Sequence, residues 1–248
     1  MTWEKGRQLK TFDDISYEYN ANGIRTAKTV GGVRHEYDLE GSNILRESDA
    51  LGNVIVPMYD GEEQVCGMTY NGELFFFHKN LQGDIIAITD HTAAVVARYS
   101  YDAWGKCTIL SDTSGCEIAT VNPFRYRGYY YDAETGMYYL QSRYYNPQVG
   151  RFLNADGYVS TGTGILGYNM FAYCLNNPVN GYDPCGTCFH RWDFWNDCDS
   201  CGGRTLGDKC NDFLNWVGDL DIAITTGYYV SLNTGIWNIS GSCNCFFR

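Results

Sequence analysis

A short unit recurs between residues 17 and 136 of this chain. It consists of an aromatic residue, a variable residue, a second aromatic, an Asp or Asn, two or three further residues and a glycine. The copies are Tyr17–Gly23, His35–Gly41, Tyr59–Gly61, Phe77–Gly83, Tyr99–Gly105 and Tyr129–Gly136. The third copy is shortened, and the last has one extra residue. A repeat at this spacing predicts a serial array of similar structural units.

Each part of the unit has a conformational preference. Alternating aromatics favour a strand with a period of two residues, Asn or Asp initiates a turn, and glycine accepts the positive φ that closes it. β-Branched runs follow two of the glycines, at 24–30 and 84–89, and can supply the returning strand. The 21 tyrosines and 28 glycines fit this pattern. We therefore predict a mainly β fold of repeated antiparallel hairpins in a spiralling sheet, with a small Cys-rich α+β appendage at the C-terminus.

The tyrosines have two interpretations. They can pack across neighbouring strands, which is the common use of aromatics in sheets, or present exposed rings on which sugars stack. Glycans are partners under the second interpretation, and Tyr129, Tyr130 and Tyr131 are the residues that would test it. The sequence leaves both open.

The net charge is -11, with 18 basic and 29 acidic residues. Such a balance opposes attraction to nucleic acid or to an anionic membrane. The arginines of 124–127 and 141–143 are interleaved with aromatics and form no basic run. No nucleic-acid partner is expected from charge.

The most specific stretches lie between residues 122 and 184. They are Asn122–Gly128, Tyr129–Leu140, Ser142–Pro147, Val149–Asp156, Leu166–Tyr173, Asn176–Asn180 and Asp183–Pro184. In content and order they resemble the RHS/YD-repeat family, with its RHS repeat-associated core, over about residues 1–186. The predicted domains are YD-repeat hairpins at 1–120, the core at 121–186 and a variable Cys-rich cassette at 187–248.

The resemblance implies a role in a polymorphic toxin or wall-associated protein. In that family the repeats build a shell around a toxic C-terminal region. The implied partners are an upstream YD-repeat shell and an immunity protein, and the implied location is extracellular or at the cell surface. Residues 1–10 lack the apolar stretch of a secretory signal, so we expect export as part of a longer protein, with an orphan reading frame cut from one as the alternative. Six hairpins are too few to enclose a protein guest alone.

The resemblance also implies self-cleavage. The family core ends in Pro, four residues, Asp-Pro, one residue, Gly and Leu, and this chain has that spacing from Pro178 but with Thr187 in place of Leu. Asp183 would be one carboxyl of an aspartyl pair, with Asp156 as the candidate partner, and the cut would fall between Gly186 and Thr187. An alternative is that Asp183 only caps an Asp-Pro turn.

Seven of the 11 cysteines lie between residues 185 and 245. Two CxxC pairs, Cys185 with Cys188 and Cys198 with Cys201, have a spacing suited to a structural zinc ion. In an exported protein the same residues can form disulfides instead. Free or unrelated thiols are the third alternative. All three remain open, and no other cofactor is predicted.

The cassette carries 4 basic and 7 acidic residues, and this balance argues against a nuclease. A hydrolase toxin of nuclease type nevertheless remains an alternative function for it. Its single histidine, His190, has no accompanying catalytic motif and is predicted to be structural, or an alternative zinc ligand. A helix is predicted over 208–218, and strands or one apolar helix over 222–226 and 228–232.

Overall fold

A computed structural model describes residues 1–157, 169–188, 190–191, 229–232 and 235–238. The chain divides into two compact units, Met1–Trp192 and Asp193–Arg248. The functional boundary predicted after Gly186 lies within the first unit and stays a prediction.

The first unit contains a twelve-stranded antiparallel sheet in which every strand pairs with the next along the chain. Its strands are β1 Thr2–Glu4, β2 Gln8–Phe12, β3 Ile15–Tyr19, β4 Arg25–Val30, β5 Val33–Glu40, β6 Asn43–Asp49, β7 Val54–Tyr59, β8 Val65–Tyr70, β9 Glu73–Lys79, β10 Ile85–Asp90, β11 Val95–Tyr101 and β12 Cys107–Asp112. The predicted array of antiparallel hairpins is confirmed.

Six of the hairpin turns share one hydrogen-bond pattern. In each, the side-chain oxygen of an Asn or Asp accepts the backbone N–H groups of the residues two and four positions later. The residues that do so are Asn20, Asp49, Asp60, Asn80, Asp90 and Asp102. In the first of these turns Gly23 has a φ of +83°, as predicted. The turns at Asp49 and Asp90 were not predicted, because neither follows two aromatic residues in the repeat pattern.

Three copies of the repeat differ from their predicted geometry. In the last copy the Asp132 carboxylate accepts from Arg25 and Lys28, and its backbone carbonyl accepts the turn N–H groups instead. In the third copy Glu63, not Gly61, has a positive φ, at +59°. In the second copy Asp38 lies within β5, and the chain turns at the following glycine, Gly41, where Glu40 pairs with Asn43. A two-residue hairpin needs no side-chain acceptor, so Asp38 is not a turn residue.

The remaining elements of the first unit follow the large sheet. They are helix α1 Ile118–Val121, single 3-10 turns at Tyr126–Gly128 and Cys174–Asn176, a four-stranded antiparallel sheet of β13 Tyr130–Asp132, β14 Met137–Leu140, β15 Arg143–Asn146 and β16 Arg151–Phe152, and a two-stranded ladder of β17 Gly181–Tyr182 and β18 His190–Arg191.

The second sheet contributes side chains to two buried clusters. Because side chains alternate along a strand, Tyr139 of β14 packs in the cluster shared with the large sheet, while its neighbour Tyr138 packs in a cluster with Tyr173. Tyr129 and Tyr130 are 8% and 6% exposed. Rings buried to this extent cannot stack on a sugar, so these two tyrosines serve in packing.

The second unit is described only at two strands, β19 Tyr229–Leu232 and β20 Gly235–Asn238. They form an antiparallel hairpin with Leu232 opposite Gly235. Of the two alternatives left open for 228–232, a strand or part of one apolar helix, the described residues 229–232 form a strand. The helix predicted at 208–218 lies outside the described residues. Within the described part of the chain, no helix has the length and apolar character needed to cross a membrane.

Candidate functional site around Asp183

The site is assembled from three positions that are far apart in the sequence. Arg143 is the first residue of β15, Asp156 follows β16, and Asp183 follows β17. All three are buried, with exposed fractions of 4%, 9% and 2%. The structure thus brings together the two aspartates that the sequence analysis paired.

Arg143 connects the two carboxylates. Its Nη2 atom lies 2.9 Å from Asp156 Oδ2 and 3.3 Å from Asp183 Oδ2. The guanidinium also stacks on the Phe152 ring, with 3.5 Å between Cζ and the ring centroid, and Nη1 donates to the Met170 carbonyl at 3.1 Å. These contacts fix the guanidinium plane and leave its Nε directed towards the chain that follows Asp183.

That chain, residues 183–188, folds back around the Asp183 carboxylate. Asp183 Oδ1 accepts the backbone N–H groups of Gly186 at 2.7 Å, Thr187 at 3.1 Å and Cys188 at 3.1 Å. The Asp183 carboxylate therefore caps this turn, as the alternative interpretation describes. Capping does not exclude a role in self-cleavage, because one of the three N–H groups, that of Thr187, belongs to the predicted cleavage junction.

The junction is contacted at both ends of its peptide bond. Arg143 Nε donates to the Gly186 carbonyl oxygen, and Asp183 Oδ1 accepts from the Thr187 nitrogen. A cationic donor on a carbonyl oxygen favours the oxyanion that forms when the carbonyl carbon is attacked. A carboxyl beside the nitrogen can exchange a proton with it as the C–N bond breaks.

Gly186 allows this close approach. Its φ is +76°, and a Cβ built on it would lie 2.6 Å from the Leu140 carbonyl oxygen and 2.7 Å from Ser142 Oγ. Ser142 Oγ donates to the Cys185 carbonyl at 2.6 Å, which ties the segment to the β14–β15 turn. Any other residue at 186 would push the junction away from Arg143.

The electrostatics of the site are set by burial. Burial raises the pKa of Asp183 to about 7, although Arg143 opposes the rise. Burial also lowers the pKa of Arg143, whose guanidinium nevertheless remains protonated. Both protonation states of Asp183 are therefore populated near neutral pH, which suits a group that gives and takes a proton.

Two tyrosine hydroxyls lie next to the backbone of Asp183. The Tyr129 hydroxyl accepts the backbone N–H of Asp183 at 2.9 Å and lies 3.1 Å from the Tyr173 hydroxyl. Neither Tyr173 nor Arg143 was singled out from the sequence as a site residue, and Tyr129 was named only for glycan stacking. One sequence signal could have identified Arg143. It is an arginine beside aromatic residues in the stretch most typical of the family, a pattern that indicates a buried cation.

The predicted metal site is described only in part. The candidate ligand atoms of Asp183, Cys185 and Cys188 lie within 4.8 Å of one another. However, Asp183 Oδ1 already accepts three N–H groups and Oδ2 contacts Arg143, so this carboxylate is poorly suited to a metal. Cys198 and Cys201 lie outside the described residues, so the four-cysteine zinc site and its disulfide alternative stay predictions.

His190 is placed on β18 and is buried. Its ring lies against Tyr182, with 5.2 Å between the centroids. Within the described residues it is not part of the candidate metal group. Its role, structural or as a zinc ligand, stays a prediction.

Comparison with known proteins identifies the family. The teneurin YD-shell family model matches residues 48–179, and this chain belongs to the YD-shell family. The resemblance stated from the sequence is thereby confirmed.

Relatives include named toxins and nucleases. The tRNA3(Ser)-specific nuclease WapA of Bacillus spizizenii is 41% identical over 174 residues, which are 69% of this chain and 7% of the nuclease. Toxin subunit YenC1 of Yersinia entomophaga is 36% identical over 195 residues, covering 70% of this chain and 19% of the subunit. Toxin protein Tse5 of Pseudomonas aeruginosa is 32% identical over 111 residues, covering 45% and 8%. This chain thus spans a small part of each relative.

The fold is also found in a solved structure. The Tc holotoxin pore of Photorhabdus luminescens aligns with 83% of this chain and 10% of the solved chain, with a TM-score of 0.55 and 21% identity. At this identity the similarity supports the fold alone.

Proposed function

We propose that this chain is the closing segment of a toxin shell and that it cuts its own Gly186–Thr187 bond to free the cassette that follows. The observation that carries the proposal is the pair of contacts on that bond, Arg143 on the carbonyl oxygen and Asp183 on the nitrogen. The toxin names of the relatives support the shell role.

Each charged residue has a defined part in the proposed reaction. Arg143 stabilises negative charge on the Gly186 oxygen as the carbonyl carbon is attacked. Asp183 supplies the proton that the departing Thr187 nitrogen needs. Asp156, held on the same Nη2 atom, is the second carboxyl and keeps the guanidinium in place when Asp183 changes its protonation state.

The shell role supports proposals about partners and location. Within the described residues, β1 is the first strand of the large sheet and pairs only with β2, so upstream YD-repeat strands are the proposed partner for its other edge. Export as part of a longer polypeptide would place the shell outside the producing cell, and an immunity protein would protect that cell from the cassette. The cassette itself could be a nuclease-type hydrolase, as the name of the Bacillus relative suggests, although its acidic balance opposes phosphate binding.

The test is the intact mass of the purified full chain beside Asp183→Asn, under reducing conditions, with and without a chelator. We expect two fragments, 1–186 and 187–248, from the parent and one uncut chain from the variant. Asp38→Asn is the matched control, since the Asp38 side chain is 70% exposed and far from the site in sequence. Chelation should change nothing, because the Asp183 oxygens are committed within the protein.

A single uncut species from the parent at every condition would contradict the proposal. Cleavage at another bond, or equal cleavage in parent and Asp183→Asn, would also contradict it.

A further inference from the structure

The residue after the predicted cut carries a hydroxyl that the proposed reaction has not used. Thr187 Oγ1 lies 3.2 Å from Cys185 Sγ and 3.9 Å from Cys188 Sγ. Sulfur is a weak hydrogen-bond partner, so neither contact holds the hydroxyl firmly. Within the described residues, Oγ1 has no carboxylate, amide or carbonyl hydrogen-bond partner.

The position of this hydroxyl is set by covalent geometry. Oγ1 of any threonine stands a few bonds from the carbonyl carbon of the preceding residue, and attack on that carbon closes a five-membered ring. An intramolecular nucleophile of this kind has an effective concentration on the order of 10⁵ M or more. The first step therefore needs no water molecule at the intact peptide bond, where the neighbouring carboxylates are at least nine-tenths buried.

The groups around the bond match what such an attack requires. Negative charge would develop on the Gly186 oxygen, where Arg143 Nε donates. The bond that must break ends at the Thr187 nitrogen, which lies 3.1 Å from Asp183 Oδ1. Gly186 adds no side chain that could shield the carbonyl carbon.

We propose that Thr187 Oγ1 is the nucleophile of self-cleavage, attacking the Gly186 carbonyl carbon in an N-to-O acyl shift. This inference rests on the proposed self-cleavage and specifies its first step. The Oγ1–C bond forms and the C–N bond breaks. The hydroxyl proton ends on the Thr187 nitrogen by way of the Asp183 carboxyl, giving an ester and a free amine.

The second step is hydrolysis of the ester. Water adds to the Gly186 carbonyl carbon and the Oγ1–C bond breaks. The products are a Gly186 carboxylate and a Thr187 residue with its hydroxyl restored. The sequence needs water alone as co-reactant and involves no change of oxidation state.

The ester intermediate provides a direct test. Neutral hydroxylamine converts an ester to a hydroxamate, so full-length protein that matures in its presence should yield a 1–186 fragment ending in a hydroxamate. Intact mass distinguishes this end from a carboxylate. Asn-Gly bonds also react with hydroxylamine, and 22–23, 71–72 and 180–181 are such bonds. Asp183→Asn, treated identically, measures that background.

Substitutions provide the second readout. Thr187→Val keeps the shape and removes the hydroxyl, and we expect cleavage to fall by about 100-fold or more. Thr187→Ser should restore cleavage and the hydroxamate. Thr120→Val, an exposed position on α1, is the matched control and should cleave like the parent. The circular dichroism spectrum and melting temperature report whether the valine variant folds, and hydroxamate formation by the parent is independent of that variant.

The outcomes separate this inference from the proposed function. Parent-like cleavage of Thr187→Val, with a carboxylate end in hydroxylamine, would overturn the acyl shift and leave self-cleavage by water standing. An uncut parent at every condition would overturn both.

Discussion

Arg25 of β4 and Asp132 of β13 form a buried ion pair that joins the two sheets, with 2.5 Å between Nη1 and Oδ2. Lys28 Nζ contacts the other carboxylate oxygen at 2.9 Å. The Arg25 guanidinium also lies among tyrosine rings, the nearest being Tyr139 at 4.4 Å between Cζ and the centroid. The contact between the two sheets is thus stabilised by buried ion pairs as well as by aromatic packing.

Replacing Asp132 should destabilise the protein strongly. Asp132→Asn leaves the buried Arg25 without its counter-ion and leaves Lys28 with Glu134 alone. Loss of one partner from a buried ion pair costs about 3–5 kcal/mol. Urea unfolding of the full chain followed by circular dichroism measures the midpoint. Asp38→Asn is the control, since its pair with Arg46 is exposed and worth at most about 1 kcal/mol. Equal midpoints for the two variants would contradict the role of the pair.

Low pH should remove the contribution that the Asp132 ion pairs make to the free energy of unfolding. Burial by itself raises the pKa of Asp132, but Arg25 and Lys28 outweigh it and hold the pKa below the usual value. Because the folded pKa is the lower one, the stabilisation is complete above the unfolded value of about 4 and is lost as pH falls through the folded pKa. The difference in urea midpoint between parent and Asp132→Asn should therefore narrow below about pH 4. A difference that widens in acid would refute this assignment.

How far the sequence predicts the structure depends on the range of the interaction. The hairpins were predictable because each turn is closed locally, as where Asn20 accepts N–H groups within its own turn. The turn at Asp49 lacks the aromatic signal and was missed. Asp183 and Asp156 were named from a resemblance, but Arg143 was not, since its role depends on contacts 13 and 40 residues away in sequence that only the folded second sheet creates.

Gly186→Ala should slow self-cleavage without unfolding the protein. The new Cβ would lie 2.6 Å from the Leu140 carbonyl oxygen, and the displaced junction would lose its alignment with Arg143. A displacement of about 1 Å costs on the order of 100-fold in rate. Gly32→Ala is the matched control, because Gly32 has a φ of +84° but no neighbour within 4 Å of its Cβ position. Quantified gels of fragment 1–186 against time give both rates, and a rate for Gly186→Ala equal to that of Gly32→Ala would contradict the close fit.

Arg143→Lys separates the geometry of the guanidinium from its charge. Lysine keeps the positive charge but has a single nitrogen, which cannot contact the Gly186 oxygen and both carboxylates from a fixed plane. Loss of one donor to a developing oxyanion costs about 100- to 1000-fold. We therefore expect Arg143→Lys to accumulate as uncut chain on the timescale of parent cleavage, measured by intact mass. Arg151→Lys is the matched control, because Arg151 is an exposed arginine on β16 of the same sheet. This variant should cleave at the parent rate. If Arg143→Lys cleaved as fast as the parent, charge alone would suffice, and the contact between Nε and the Gly186 oxygen would have no part in the reaction.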